Sequence, residues 1–247
     1  RAVGAAWMTR PLLLRLPGNM CDARLWSALK TPEGWRVLDL PLTEDDRLTA
    51  MAERALRAAP GPLIPVGFSM GGLVALDMAR LAPGRVKGLV LIDTTADADL
   101  KERSDLRLDQ QTRVAQGALR TVVRDELKPN YLALSRRSDV ALKDLLVAMA
   151  EALGPEVFVR QSEALRTRPD NRATLAAFEG PVLIVCGAED SLITPDRHRA
   201  MAAACRRPTL TLHVVENAGH MLPLEQPDRL SAAIADWLDA NEETLIR

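Results

Sequence analysis

A serine framed by two glycines is the first feature of this chain that could carry chemistry. Gly67, Ser69 and Gly71 stand in the segment Gly-Phe-Ser-Met-Gly, after the apolar run 63–68 and before a helical pattern. Small flanking residues let a strand and a helix approach closely at a sharp turn, and such a turn exposes the serine hydroxyl. The glycine spacing of dinucleotide-binding folds and the lysine of a phosphate-binding loop are both missing. Ser69 is therefore the candidate nucleophile.

A serine hydroxyl is a poor nucleophile unless a base lies within hydrogen-bond reach, and the chain has three histidines. His213 falls inside a strand-like run and is interpreted as a packing or rim residue. His198 lies in a helical segment between two arginines, which favours a solvated face. His220 follows the last strand-like run, in the kind of loop where open α/β sheets place their ligands. We predict that His220 is the base.

The base in turn needs an acid that orients it. Asp190 closes the apolar run 182–186 in the same way that His220 follows the last run. Its neighbour Glu189 and the earlier Asp93, which ends the run 86–92, are the alternatives, because one residue of slip in a loop exchanges neighbours. Asp190 is preferred, and the chain order serine, aspartate, histidine is the order of one large class of hydrolases.

Acyl transfer also requires N–H donors aimed at the oxyanion that develops during the reaction. One predicted donor is the backbone N–H of Met70, directly after the nucleophile at a helix N-terminus. The second is predicted to be the backbone N–H of Asn19, in the turn after the first strand. A plain turn with Gly18 at positive φ is compatible with both roles.

The elements that must position these residues alternate between short apolar runs and longer segments of helical period. That alternation is typical of an α/β protein with a mostly parallel sheet flanked by helices. Helical spacing is clearest after the second run, at Leu48, Met51 and Ala55, and after Ser69, at Leu73 and Leu76. The six predicted strands are 12–16, 36–40, 63–68, 86–92, 182–186 and 209–215.

The alternation stops between residues 94 and 180, where the sequence predicts helices and no strand. Helical periods recur at 119–127, 140–153 and 156–166. The segment is either a solvated helical bundle or a lid over a pocket. We predict a core domain of residues 9–95 and 181–247, a helical cap of residues 96–180 and a flexible lead of residues 1–8.

Composition narrows the possible partners. Thirty-two basic and 33 acidic residues nearly cancel, and no long run of like charge is present to bind nucleic acid or an anionic membrane. Three cysteines without metal-ligand spacing favour a reduced, cytoplasmic compartment. No apolar run approaches the roughly 20 residues that span a bilayer. We expect a soluble protein that acts on a small molecule without a metal or cofactor; the oligomeric state is open.

Taken together, these motifs resemble the α/β-hydrolase superfamily, over residues 12–238. The segment 217–221, Asn-Ala-Gly-His-Met, and Pro-Leu-Glu-Gln-Pro at 223–227 are similar to small bacterial esterases with a helical cap. The resemblance implies an α/β-hydrolase fold in which the helical insertion is the cap. Many members have His-Gly where this chain has Pro17-Gly18. Relatives that form an alkyl-enzyme carry aspartate at the position of Ser69, so that chemistry is disfavoured here.

Three functions are compatible with these residues. The preferred one is a carboxylesterase that cleaves an ester or thioester-like bond through Ser69, His220 and Asp190. The same triad also serves carbon–carbon cleavage, elimination or lactone hydrolysis, since fold and triad do not fix the reaction. In that case arginines of the predicted cap, such as Arg120 and Arg124, are candidates to hold a substrate carboxylate. A ligand-binding protein with an unused hydrolase site is the third.

Overall fold

Six parallel strands form one sheet at the centre of the molecule. The structure is a computed structural model that describes residues 10–205 and 210–247. The strands follow the order β2-β1-β3-β4-β5-β6 across the sheet, and every neighbouring pair is parallel. They are β1 (Leu12–Leu16), β2 (Val37–Asp39), β3 (Leu63–Phe68), β4 (Leu89–Ile92), β5 (Val182–Gly187) and β6 (Leu210–Val215).

All six predicted strands are present, with shorter bounds where pairing stops. The predicted run 86–92 becomes a strand only at Leu89, because Val86 makes a single isolated bridge to Leu63. The second run shortens because β2 is an edge strand that pairs with β1 over three residues. The predicted flexible lead, residues 1–8, and the predicted first residue of the last strand, Thr209, lie outside the described residues.

Helices provide the crossovers that parallel strands need. The ten α-helical segments of the described chain are α1 (Leu48–Ala58), α2 (Met70–Leu81), α3 (Lys101–Arg113), α4 (Leu119–Thr121), α5 (Val140–Leu153), α6 (Pro155–Arg166), α7 (Arg172–Ala177), α8 (Pro195–Ala204), α9 (Leu222–Glu225) and α10 (Pro227–Leu245). None of the helices among residues 10–205 and 210–247 is long and apolar enough to cross a membrane.

The chain between β4 and β5 is helical, as predicted, with no strand in this fully described segment. It contains a long first helix, α3, that the apolar periodicity does not predict. Next come two π-helical segments, Val114–Ala118 and Val122–Leu127, on either side of α4, with Gly117 at φ 95° where the helix breaks. Helix α7 packs against α2 and α8, whereas α3 packs against α6.

Two apolar clusters sandwich the sheet because side chains alternate along each strand. Leu14 and Leu16 join the cluster under α1 and α2, and Leu13 joins the opposite cluster, which contains Trp237 of α10. A third cluster lies among the inserted helices and includes Met20 from the turn after β1. The third cluster therefore ties the insertion to the carboxyl end of the sheet, where the candidate site lies.

Candidate active site

Ser69 occupies a strained turn between β3 and α2. Its backbone has φ 50° and ψ −112°, a conformation that non-glycine residues rarely adopt. The flanking glycines are required by space, because a Cβ at Gly67 would collide with the backbone of Gly71. A Cβ at Gly71 would in turn collide with the carbonyl of Leu16. The half-buried hydroxyl is thus held at the carboxyl edge of the sheet.

The structure brings the three predicted site residues together. His220 Nε2 lies 3.0 Å from Ser69 Oγ, and His220 Nδ1 lies 2.8 Å from Asp190 Oδ2. The side chains of His220 and Asp190 are both buried, 2 % and 0 % exposed. The three side chains come from the ends of β3, β5 and β6, which meet at one edge because the strands are parallel. The arrangement can pass a proton from the hydroxyl to the imidazole.

Of the three candidate acids, only Asp190 contacts the imidazole. Its second oxygen, Oδ1, accepts hydrogen bonds from the N–H groups of Leu192 and Ile193 at 2.8 and 2.9 Å. Burial by itself would raise the pKa of Asp190, but the His220 ring and these N–H groups outweigh burial and lower it. The carboxylate is therefore kept ionised beside the imidazole.

The alternatives have other partners. Glu189 accepts a hydrogen bond from the Leu134 N–H at 2.7 Å. Asp93 accepts from the N–H groups of Gly187, at 2.9 Å, and Leu222, at 3.2 Å. Burial, and then the nearby charge of Asp190, raise the pKa of Asp93 well above its usual value. Both residues hold loops around the site.

A buried glutamate that the sequence analysis did not select supports the histidine loop. Glu225 is 4 % exposed and accepts N–H hydrogen bonds from Gly219 at 2.8 Å and from Met221 at 3.2 Å, on either side of His220. It also accepts from Ala133 of the insertion at 2.7 Å. Burial raises its pKa against the effect of these N–H groups. Its position in the Pro-Leu-Glu-Gln-Pro segment was the only available signal.

The insertion also contacts the histidine directly. The His220 N–H donates to the carbonyl of Tyr131 at 2.6 Å, and the Tyr131 ring meets the imidazole edge-on with centroids 5.0 Å apart. Lys128 is buried and donates to the Asn19 carbonyl at 3.4 Å. Burial lowers the pKa of this lysine. The inserted helices thus help to hold both the histidine loop and the turn after β1.

The two predicted oxyanion donors border the same cavity as Ser69. Met70 is the first residue of α2, where a helical N–H has no intrahelical acceptor. The expected positive φ in the first turn occurs at Met20, at 53°, and not at Gly18. Gly18 is needed for space instead, since a Cβ there would lie 2.8 Å from the Phe68 ring and 3.2 Å from Ser69 Cβ.

The two remaining histidines lie apart from these groups. His213 is exposed on the edge strand β6, which agrees with a rim position. The solvated face predicted for His198 is wrong, because the residue is fully buried and its Nδ1 lies 3.1 Å from the Thr194 carbonyl oxygen. Along α8 the neighbouring Arg199 is exposed and Arg197 is half-buried, whereas His198 faces the interior. Burial lowers the pKa of His198.

A cavity of about 250 Å³ opens beside Ser69. Residues of the turns after β1, β3 and β4 form one wall, and residues of α3, α6 and the segment around Leu127 form the other. Arg120 and Arg124 do not line this cavity: they are exposed and paired with Glu151 and Asp125. Within the described part of the chain, no cluster of three or more His, Cys, Asp or Glu has the geometry to hold a metal ion.

A family model matches most of the chain. It is described as "Alpha/beta hydrolase family" and matches residues 3–233. The chain belongs to the alpha/beta hydrolase family. Both the predicted family and the predicted fold, a parallel sheet flanked by helices, are thereby confirmed.

Similar proteins include several esterases. The pimeloyl-[acyl-carrier protein] methyl ester esterase of Serratia marcescens is 28 % identical over 243 residues, covering 93 % of this chain and 94 % of that protein. A solved esterase from Thermogutta terrifontis, with malate bound, is 26 % identical at a TM-score of 0.80, covering 93 % of this chain and 90 % of the other. The enol-lactonase of Burkholderia xenovorans LB400, at 17 % identity, TM-score 0.78 and coverage of 93 % and 92 %, shares the fold.

Proposed function

We propose that this alpha/beta hydrolase cleaves a carboxylic ester or thioester-like bond of a small molecule through an acyl-enzyme on Ser69. That the chain is a hydrolase of ester bonds rests on the family and on its esterase relatives. The observation that carries the detailed proposal is the continuous hydrogen-bond relay from Ser69 Oγ to His220 to Asp190, at 3.0 and 2.8 Å. No described group other than the imidazole lies within reach to take the serine proton.

In the first half-reaction, Ser69 Oγ attacks the ester carbonyl and its proton passes to His220 Nε2. Asp190 accepts the Nδ1–H, which fixes the tautomer that leaves Nε2 free to act as base. The N–H groups of Met70 and Asn19 are the proposed donors to the oxyanion. When the tetrahedral intermediate collapses, the carbonyl forms again, the bond to the alcohol oxygen breaks, and His220 gives that oxygen its proton.

In the second half-reaction, a water molecule takes the place of the alcohol. His220 removes its proton as the hydroxide attacks the acyl carbonyl, and collapse returns the proton to Ser69 as the acid leaves. One water is consumed, and one acid and one alcohol are produced. These steps use side chains and backbone N–H groups of this chain and one water, so the proposal includes no metal and no organic cofactor.

We also propose that residues 96–180 act as a cap. Arg103 and Gln110 of α3, Leu165 of α6 and Leu127 line the cavity across from Ser69. The cap thereby determines which acyl and alcohol groups fit beside the serine. A cytoplasmic location and a lack of nucleic-acid or membrane partners stay predictions from composition.

The proposal is tested with p-nitrophenyl esters of graded chain length. Ser69→Ala removes the nucleophile and is expected to lower kcat by at least about 10³-fold on every ester that the wild type cleaves. Ser27→Ala, which alters an exposed serine that does not line the cavity, is the matched control and is expected to keep wild-type rates. Wild-type turnover by the Ser69→Ala protein on all these esters overturns the acyl-enzyme proposal.

A further inference from the structure

The cavity beside Ser69 contains an unusual number of guanidinium groups. Arginine is rarely buried unless its charge is balanced, because removing the charge from water is costly. Four arginines nevertheless line this cavity of about 250 Å³, together with one carboxylate, that of Glu126. The four are Arg103, Arg107, Arg168 and Arg197.

Two of these arginines share one carboxylate. Arg107 Nε lies 2.9 Å from Asp99 Oδ2, and Arg168 Nη1 lies 2.7 Å from Asp99 Oδ1. The Asp99 side chain is 1 % exposed and is not part of the cavity wall. Arg168 is itself only 5 % exposed. Burial lowers its pKa to about 10 although Asp99 opposes the shift, and the charges of Arg107 and Arg103 add to the effect of burial.

Arg197 and Glu126 are balanced by partners outside this group. Arg197 Nη2 lies 2.8 Å from Asp97 Oδ2. Glu126 accepts hydrogen bonds from Arg113 at 2.8 Å and from Gln110 at 3.2 Å. The single carboxylate on the cavity wall is therefore already occupied by Arg113 and does not neutralise the arginines beside Ser69.

Arg103 is the cavity arginine without a partner for its guanidinium among the described residues. Among residues 10–205 and 210–247, no carboxylate lies within ion-pair distance of its guanidinium and no hydrogen bond satisfies it. It is half-buried on α3, and its charge acts on both Arg168 and Tyr131. The planar guanidinium fork matches a carboxylate in bidentate geometry, so an Arg103 without an anion is able to bind one from a ligand in the cavity.

We infer that the substrate of this hydrolase carries a free carboxylate, which Arg103 binds with help from Arg107 and Arg168 while Ser69 attacks the ester group. This inference rests on the proposed function of Ser69. A planar carboxylate fits better than tetrahedral phosphate, because Arg103 is the cavity arginine whose guanidinium fork is free of partners in the described part of the chain, whereas Arg107 and Arg168 already pair with Asp99. The substrate class is then a half-ester of a dicarboxylic acid, or an ester whose alcohol part bears the acid.

The test compares two esters that differ in one end group, the p-nitrophenyl monoester of adipic acid and p-nitrophenyl heptanoate. We expect the wild type to have the higher kcat/KM on the adipate ester. Arg103→Gln removes the charge and keeps most of the side-chain length, and it is expected to lower the ratio of kcat/KM for adipate over heptanoate by roughly 10- to 100-fold. Most of that loss is expected in KM.

The matched control is Arg120→Gln, an exposed arginine of the same insertion that pairs with Glu151 and does not line the cavity. It is expected to leave the ratio at its wild-type value. An Arg103→Gln ratio equal to wild type, or equal losses in the Arg103 and Arg120 variants, overturns the inference. Inhibition by inorganic phosphate that exceeds inhibition by adipate, and that depends on Arg103, overturns the assignment to a carboxylate.

Binding separates this inference from the proposed function. Calorimetry with adipate on the Ser69→Ala protein is expected to give a Kd that Arg103→Gln weakens about tenfold or more. If Ser69→Ala retains turnover but still binds adipate through Arg103, the acyl-enzyme proposal fails and the carboxylate site stands. If turnover depends on Ser69 but adipate binding does not depend on Arg103, the acyl-enzyme proposal is retained and the carboxylate site is rejected.

Discussion

The ends of β4 and β5 each carry a buried aspartate, and the two differ in one contact and in the direction of their pKa shifts. Asp93 is 0 % exposed and Asp190 is 2 % exposed. Each accepts two backbone N–H hydrogen bonds. Asp190 has one further partner, the Nδ1 of His220. The strands that carry them are neighbours in the sheet.

The contact with His220 gives the two aspartates pKa shifts of opposite sign. Burial would raise the pKa of both carboxyl groups, but the imidazole brings the pKa of Asp190 below its ordinary value, while that of Asp93 goes well above it. The charge of Asp190 itself contributes to the shift at Asp93. Burial alone therefore does not define a catalytic acid. Contact with the imidazole distinguishes the two aspartates, and Asp190, in the loop after β5, is the one that makes it.

Of the variants at these two aspartates, Asp190→Asn is expected to lower kcat the most. The amide oxygen can keep the N–H groups of Leu192 and Ile193, which leaves the amide NH2 facing His220 Nδ1. The ring must then carry its proton on Nε2 and loses the ability to accept one from Ser69. We expect kcat to fall by about 10⁴-fold with KM nearly unchanged, as for the equivalent change in a serine protease. Steady-state kinetics on a p-nitrophenyl ester measure it.

Asp93→Asn is the counterpart, with a much smaller expected loss. The amide leaves one of the two N–H groups, of Gly187 or Leu222, without an acceptor, at a cost of roughly 1–3 kcal/mol in the free energy of unfolding. The tautomer of His220 is untouched, so we expect kcat to stay within about tenfold of wild type. Equal losses of kcat in the Asp93 and Asp190 variants would remove the distinction drawn between the two loops.

The smallest effect is a pH dependence of stability. Because the pKa of Asp93 is raised in the folded protein, its contribution to stability is complete below about 4, the unfolded value, and is lost as the pH rises through the folded pKa. Asp190, with a lowered pKa, contributes above about 4 and loses its contribution as the pH falls through its folded pKa.

Thermal unfolding of the wild type and Asp93→Asn between pH 4 and 8 measures this difference. The Tm of the variant is expected to rise relative to that of the wild type as the pH rises. Each kcal/mol of change in the free energy of unfolding corresponds to roughly 2–4 °C in a chain of this size. A Tm difference that is constant over this range, or that moves in favour of the wild type, contradicts the raised pKa of Asp93.

The sequence predicts what depends on local pattern. Ser69, Asp190 and His220 each follow an apolar run, and strand ends in a parallel sheet share one edge, so their proximity is predictable. The choice between Asp93 and Asp190 depends on which loop points at the imidazole, and a single sequence does not encode that direction in any local pattern. Gly18 is a second example of a feature that no local pattern encodes. Its lack of a side chain is required by the ring of Phe68, which lies 50 residues away along the chain.

The helical insertion was predicted less completely. Helix α3 was missed because Gln110 is its only buried residue, and the exposed Leu106 and Leu108 give no apolar stripe. Arg103 and Arg107 were missed for the same reason, because they belong to α3. Arg168 follows α6, and its burial depends on its pairing with the distant Asp99. Apolar periodicity locates helices that pack on an apolar core, and it does not detect a helix whose inner face is polar.

Covalent labelling of the folded protein with a fluorophosphonate probe, followed by peptide mass spectrometry, tests directly whether Ser69 is an activated nucleophile. We expect one labelled residue, Ser69, with labelling abolished by heat denaturation and slowed at least about 10³-fold by His220→Ala. Labelling at another serine, or a folded wild-type protein that stays unlabelled at Ser69, would contradict the claim that Ser69, His220 and Asp190 act as one catalytic unit.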